Sequence, residues 1–316
     1  MENTNIFFQD RTVPLVLGHR GIPLEHQEST LAGFERLIEL GIPGAELDVL
    51  LTKDEQIIVF HDENAERLTG VNKRIDEMDW EEVKELRIQK QIDMGDGNCY
   101  EYDSEKPIPL LEQVLEACGD KLAINIELKA NEIDKKKWKI GRKVGELVEK
   151  LKLTDSVIVT SFDFGMLRKL EKASSEVHSG FAYSEGMVDL IATSLKSHIK
   201  IKNKFLGKLL KKPLERAADA GARQLLKVIC QSNLIGVVTN SSVTGIAQTL
   251  INEKIVSRFH EQNMLVGAFT LYPLDTREIT DPTLDQDEVL KRLVEAKVDW
   301  IETDDPVKLM EKLNQN

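Results

Sequence analysis

Short apolar runs alternate with amphipathic stretches along almost the whole chain. Val13–Leu17 is a continuous apolar run, the mark of a strand covered on both faces, and it stops at Gly18-His19-Arg20-Gly21. After a loop, Ser29 or Thr30 can cap a helix that runs through Leu40 and is ended by Gly41. Ala45–Leu51 reads as the next strand, and a polar turn at Thr52–Glu55 leads into Ile57–Phe60. A parallel crossover needs about a dozen residues, so this short turn predicts an antiparallel return. Residues 63–106 are polar, with a helix-like Asp79–Leu86 and an irregular Gly95–Ser104, and read as an excursion outside the core. The rhythm resumes with a helix at Leu110–Cys118, a strand at Leu122–Lys129, a helix at Lys135–Leu151 and a strand at Val157–Ser161. Helix 163–172 and strand Val177–Tyr183 precede a long region that runs through about residue 233. Strand Ile235–Thr239, helix 248–262, strand Leu265–Leu271, helix 285–296, strand Asp299–Thr303 and a helix at 305–313 complete the pattern.

Leaving out the hairpin return, eight strands separated by helices remain. That order implies parallel strands with helices outside, and eight such units close into a (β/α)8 TIM barrel. A doubly wound open sheet competes with this reading, but no glycine-rich dinucleotide fingerprint follows any strand. No internal repeat or linker divides the chain. The expectation is therefore one barrel domain over 1–316. It carries a small insertion at about 63–106, after the second strand and its hairpin, and a longer basic helical insertion at about 185–233.

Composition narrows the partners. The chain has 316 residues, ample for a core, and its net charge of −12 argues against general nucleic-acid binding, which wants a basic footprint. Cys99, Cys118 and Cys230 are odd in number and widely spaced, which fits a reducing compartment. The N-terminus lacks a basic region followed by an apolar one, and no run of 18 apolar residues exists, so a cytoplasmic location is expected. No obligate protein partner is implied.

Strand alternation puts Glu46 and Asp48 on one face, and likewise Asn125, Glu127 and Lys129. His19, Glu46, Asp48, Glu127, Lys129 and Ser161 all fall at the carboxyl ends of the first four strands, the end at which barrel enzymes build their sites. Three carboxylates on neighbouring strands repel one another, and oxygen-only ligation suits Mg2+ or Ca2+ rather than zinc. Arg20 and Lys129 restore attraction for a phosphate, the first as a planar fork and the second as a point charge. His19 and His61 titrate near neutrality and suit general acid and base roles. Cation, guanidinium, ammonium and two imidazoles together describe phosphodiester cleavage. Ser161 has no nucleophile-elbow glycines around it and reads as a hydrogen-bonding strand end. His26, His178, His198 and His260 lack companions, and Trp80, Trp138 and Trp300 read as packing residues.

Gly18-His-Arg-Gly21, Glu28 with Thr30, Glu46-x-Asp48, the Thr52-Lys-Asp turn, His61-Asp62 and Glu127-x-Lys129 resemble the glycerophosphodiester phosphodiesterase family. Thr160-Ser-Phe162, Ala268-Phe-Thr270 and Glu302-Thr-Asp-Asp-Pro306 look like later landmarks of the same family. The resemblance implies a (β/α)8 barrel, one divalent cation, and hydrolysis of glycerophosphodiesters to glycerol 3-phosphate and an alcohol. Carried over by position, it implies metal ligation by Glu46, Asp48 and Glu127 and acid–base work by His19 and His61. Arg20 and Lys129 become the phosphate-binding cations, with Glu28 and Phe269 as substrate contacts.

Three features depart from the family pattern. Gln27-Glu28-Ser29-Thr30 stands where the family has Pro-Glu-Asn-Thr, Phe269 stands where it has tryptophan, and residues 185–233 exceed what a crossover needs. Within that last region, 195–212 carries seven lysines and no acid. It reads as an amphipathic helix with a solvated lysine face, as a lid, or as a weak peripheral contact with an anionic membrane. The alternatives to glycerophosphodiester hydrolysis are a lysophospholipase D or phospholipase D-type activity, and a non-catalytic barrel that binds phosphate esters.

Overall fold

Eight parallel strands close on themselves in a computed structural model that describes residues 4–129, 136–187, 220–222, 224–226, 228–230, 240–279 and 283–314. In chain order they are Leu15–His19, Gly44–Leu51, Ala123–Leu128, Val157–Ser161, His178–Tyr183, Val243–Ala247, Leu265–Leu271 and Trp300–Thr303. Each pairs with its successor, and the first pairs with the eighth, Leu17 opposite Glu302. Ile57–Val59 returns antiparallel on the second strand, Val49 opposite Val59.

Alternation along these strands sorts two apolar populations. Val16, Ala45, Leu47, Val49, Ile124, Ile126 and Ile301 join the large core between barrel and helices. Leu15, Leu17, Ala123, Ile158 and Trp300 belong to a separate cluster that fills the barrel from below. Phe7 closes that end, edge-on to the Trp300 ring at 5.6 Å. Continuing the inward parity upward gives His19, Glu46, Asp48, Asn125, Glu127 and Glu302, so polar positions cap an apolar barrel interior.

The helices begin where the chain supplies caps. Thr30 Oγ1 accepts from Gly33 N at 3.3 Å to start Leu31–Glu39, and Asn252 and Asp285 cap Glu253–His260 and Gln286–Glu295 in the same way. Between the strand hairpin and helix Leu111–Cys118, the chain builds a second apolar cluster around Phe60, Leu68, Ile75, Val83, Ile92 and Tyr102.

Two expectations need correction. The sixth barrel strand is Val243–Ala247; Ile235–Thr239 lies outside the described residues. Ile235–Thr239 has the stronger β-branched pattern, whereas Val243–Ala247 has Gly245 at its centre. The Phe269 ring lies 3.5 Å from where a Cβ at Gly245 would stand, an ordinary packing distance. The stretch Gly95–Ser104 is not irregular: Cys99–Glu101 pairs antiparallel with Gln91–Asp93. Gly95, Asp96 and Gly97 supply the positive φ values its turn requires. Residues 195–212 also lie outside the described residues, and among the described residues no helix is long and apolar enough to cross a membrane.

Trp300 gives the barrel floor a sharp test. A Cβ at Gly267 would stand 1.8 Å from the fully buried Trp300 ring. Gly267→Ala is expected to lower stability by about 1–3 kcal/mol through overpacking, read as a lower denaturant midpoint at unchanged slope.

Candidate active site

At the carboxyl end of the barrel, Glu46, Asp48 and Glu127 each present an oxygen, and these lie within 4.8 Å of one another. Register places them there: Asp48 is opposite Glu127 and His19 opposite Glu46. Arg20 turns off the first strand at φ +54°, so its backbone N–H donates to Glu46 Oε2 at 3.2 Å while its guanidinium swings back over the barrel. There Arg20 Nε stands 3.2 Å from Asp48 Oδ2 and Nη1 donates to Glu28 Oε1 at 3.3 Å. Lys129 Nζ sits 2.9 Å from Glu127 Oε1 and 3.1 Å from Asp48 Oδ1.

The charges are mutually strained. Burial, and then the Asp48 carboxylate, hold Glu46 well above the usual carboxylate range. Burial also raises Glu127, against the pull of Lys129 and with the push of Asp48. At Asp48 burial is outweighed by Lys129, His61 and Arg20, and its carboxyl falls to about 2. Asp48 Oδ2 is buried yet has no aligned hydrogen bond. An oxygen-only set that is short of positive charge fits a hard divalent cation.

Two imidazoles flank this triad, each held by an aspartate. His19 Nδ1 is 2.7 Å from Asp304 Oδ1, and Asp304 is itself fixed by the Leu274 N–H at 2.6 Å. The hairpin delivers His61 beside the triad, because Phe60 N donates to Asp48 O at 3.0 Å. His61 Nδ1 is 2.6 Å from Asp62 Oδ1. Both aspartates fix the proton on Nδ1 and leave Nε2 as the working nitrogen. Their electrostatics diverge. Burial, then Arg20 and Lys129, lower His61 well below its ordinary value. Burial and Arg20 also lower His19, but Asp304 and Glu46 overcome them and raise it to about 10.

A cavity of about 360 Å³ opens over this machinery. One side presents His19, Arg20, Asp48, His61, Glu127 and Lys129. Phe162 and Phe269, edge to face at 6.0 Å, stand on the other side. Glu28 is 3% exposed and is gripped by both terminal nitrogens of Arg67 at 2.7 Å. Ser161 is not brought in: it faces the outer layer, donating to Leu128 O at 2.9 Å and accepting from Asp163 N at 3.0 Å.

Sequence reasoning assigned no role to Asp304 or Arg67. Asp304 sits inside the Glu302–Pro306 landmark, so its position was visible although its partner was not. Arg67 gave no signal, because the contact that matters spans 39 residues, from the insertion back to Glu28.

Known proteins resemble the chain in sequence and in fold. The model of the glycerophosphoryl diester phosphodiesterase family matches residues 19–308. A glycerophosphodiester phosphodiesterase of Caldanaerobacter subterraneus is 34% identical over 176 residues, 55% of this chain and 69% of that protein. One from Bacillus altitudinis is 37% identical over 161 residues, covering 50% of this chain and 61% of that protein. A human lysophospholipase D is 29% identical over 191 residues, 60% of this chain and 59% of its own length. The matched stretches thus span 59–69% of these three relatives. The fold extends further. A glycerophosphodiester phosphodiesterase from Thermotoga maritima superposes with a TM-score of 0.60 at 22% identity, covering 95% of this chain and 98% of that one. A phosphodiesterase of Oleispira antarctica in complex with the product sn-glycerol-3-phosphate gives 0.60 at 17% identity, covering 96% and 97%.

Proposed function

Because the chain belongs to the glycerophosphoryl diester phosphodiesterase family, a family of phosphoric diester hydrolases, we propose that it hydrolyses glycerophosphodiesters to sn-glycerol 3-phosphate and an alcohol. The observation that carries this reading is the pair of oppositely tuned His–Asp dyads flanking a carboxylate triad in one cavity. Glu46, Asp48 and Glu127 would hold one Mg2+ or Ca2+, which when bound neutralises phosphate charge and polarises the scissile phosphorus. Arg20 and Lys129 pair with the non-bridging phosphate oxygens. His61, neutral and with its Nδ1 proton held by Asp62, accepts the nucleophile's proton at Nε2. His19, charged beside Asp304, gives its Nε2 proton to the oxygen of the leaving alcohol. Phe269 walls the far side of the substrate. Residues 1–316 act in this reading as one domain.

A second reading, lysophospholipase D activity, is favoured by the human relative of that name. Paired assays separate the two, with sn-glycerol 3-phosphate released from glycerophosphocholine measured against choline released from lysophosphatidylcholine. The first substrate is expected to be preferred at least about tenfold in kcat/KM, about 1.4 kcal/mol of discrimination. The opposite preference would establish the second reading.

A further inference from the structure

His19 owes its orientation to contacts made far from it along the chain. The buried Asp304 carboxylate is used at both oxygens: Oδ1 holds His19 Nδ1 at 2.7 Å, and Oδ2 accepts from the Leu274 N–H at 2.6 Å. Leu274 lies in the loop that follows the seventh strand, and its side chain packs against the apolar cluster of the 63–106 segment. The rest of that loop is latched to the hairpin of Gln91–Asp93 with Cys99–Glu101. The Met94 carbonyl accepts from Thr276 N at 2.8 Å and from Thr276 Oγ1 at 3.2 Å, and the Asp93 carbonyl accepts from Arg277 Nη2 at 2.6 Å. Asp275 stiffens the latch by accepting from Arg277 Nε at 2.8 Å and from its Nη2 at 2.7 Å. Beyond the hairpin the same limb grips the loop after the first strand: Tyr102 Oη donates to Pro23 O at 2.7 Å, and Gln27 Nε2 to Ser104 O at 2.7 Å. The eighth strand, which leads into Asp304, runs between the first and the seventh. The limb therefore ties together the two loops that flank Asp304.

Resting on the reading of His19 as the general acid, we propose that the 91–101 hairpin is a brace that positions this acid, with Leu274 as the positioning residue through which it acts. The hairpin fixes the loop, and the loop aims the Leu274 N–H. That N–H sets the rotation of the Asp304 carboxylate, which in turn orients the His19 ring. What is at stake is the proton that Nε2 gives to the leaving oxygen as its bond to phosphorus breaks. An alkoxide needs that proton, whereas p-nitrophenolate leaves without it because its ring delocalises the negative charge. A misplacement of about 1 Å can cost on the order of 100-fold in rate. The His61–Asp62 pair is held from Arg67, so a loosened latch falls on the acid and not on the base.

Gly95 sits in the hairpin turn at φ +82°, and a Cβ there would stand 2.3 Å from Thr276 Oγ1, so a larger residue forces the latch apart. The test compares glycerophosphocholine with the p-nitrophenyl ester of sn-glycerol 3-phosphate. Both are turned over by the full chain, Gly95→Val, Leu274→Ala and His19→Ala. In Gly95→Val and Leu274→Ala, kcat for glycerophosphocholine is expected to fall at least about tenfold with KM changed less than about twofold, while kcat for the p-nitrophenyl ester falls less than about threefold. His19→Ala is expected to show the same selectivity, more strongly. Leu274→Ala leaves the hairpin turn untouched and decides the matter should Gly95→Val fail to fold. An equal loss on both substrates, or no loss on glycerophosphocholine, overturns the brace while His19→Ala remains selective. A His19→Ala variant without selectivity overturns the acid assignment, and the brace with it.

Discussion

Replacing His61 by alanine is expected to lower kcat about 100- to 10,000-fold, the usual worth of a positioned acid–base group, with little change in thermal midpoint. The small stability effect follows from location: the His61 side chain is about a quarter exposed, at 26%, and its bonded partner Asp62 stays paired with Arg67. The large kinetic effect follows from electrostatics. Burial, Arg20 and Lys129 depress its pKa, so the ring is a neutral acceptor at pH 7. A base must be unprotonated, so activity is lost as pH falls through that lowered value, below 6.5. His19 must keep its proton, so activity is lost at the other extreme, as pH rises through about 10. The pH–rate profile should be broad, and His61→Ala should remove its acid limb. A variant that keeps both rate and limb would mean that His61 is not the base.

Arg67→Met is expected to be the most destabilising single change near the site, by about 3–5 kcal/mol, because it strands a buried carboxylate. Arg67 donates twice to Glu28 at 2.7 Å and also grips Asp62, with Nε at 2.6 Å. The cost has a definite pH dependence. Burial raises the Glu28 pKa, but Arg67 and then Arg20 outweigh it and bring the group to about 2, from an ordinary 4.5. A depressed carboxyl pKa contributes stability that is complete above the unfolded value and is lost as pH falls through the folded one. The gap between Arg67→Met and the unmodified protein should therefore be full above pH 4.5 and shrink toward pH 2. Calorimetric melts across that range measure it. A gap that stays constant down to pH 2 would mean that Arg67 acts through packing and not through Glu28.

Much of the barrel is legible in the chain because its strands are covered on both faces. Val157–Ser161 and Leu265–Leu271 are apolar runs of strand length, and their bounds in the fold match the pattern. The sixth strand escaped the same rule. Val243–Ala247 packs a glycine and a threonine, and Thr244 Oγ1 spends its hydrogen bond on Phe181 O at 2.8 Å. Such a strand is chosen by its neighbours and not by its own hydrophobicity. The small hairpin at 91–101 was hidden for a different reason. Only Ile92 among its paired residues is fully buried, so alternation left almost no trace.

At the site, period-two spacing was enough to bring Glu46, Asp48 and Glu127 together, since parallel register transmits a face from one strand to the next. It could not reveal which imidazole is charged. That depends on Asp304, 285 residues from His19, and on the distances of Arg20 and Lys129 from His61. Arg67 was invisible for the same reason, as its partners Asp62 and Glu28 meet only after the insertion folds back over the hairpin.

The most direct measurement is release of sn-glycerol 3-phosphate from glycerophosphocholine by chelated protein, before and after Mg2+ or Ca2+ is restored, beside Glu46→Gln. Turnover that requires the cation, and is lost at least about 100-fold in Glu46→Gln, is the result predicted for a carboxylate-held divalent centre. Turnover that persists in chelator, or a Glu46→Gln variant as active as the unmodified chain, would contradict it.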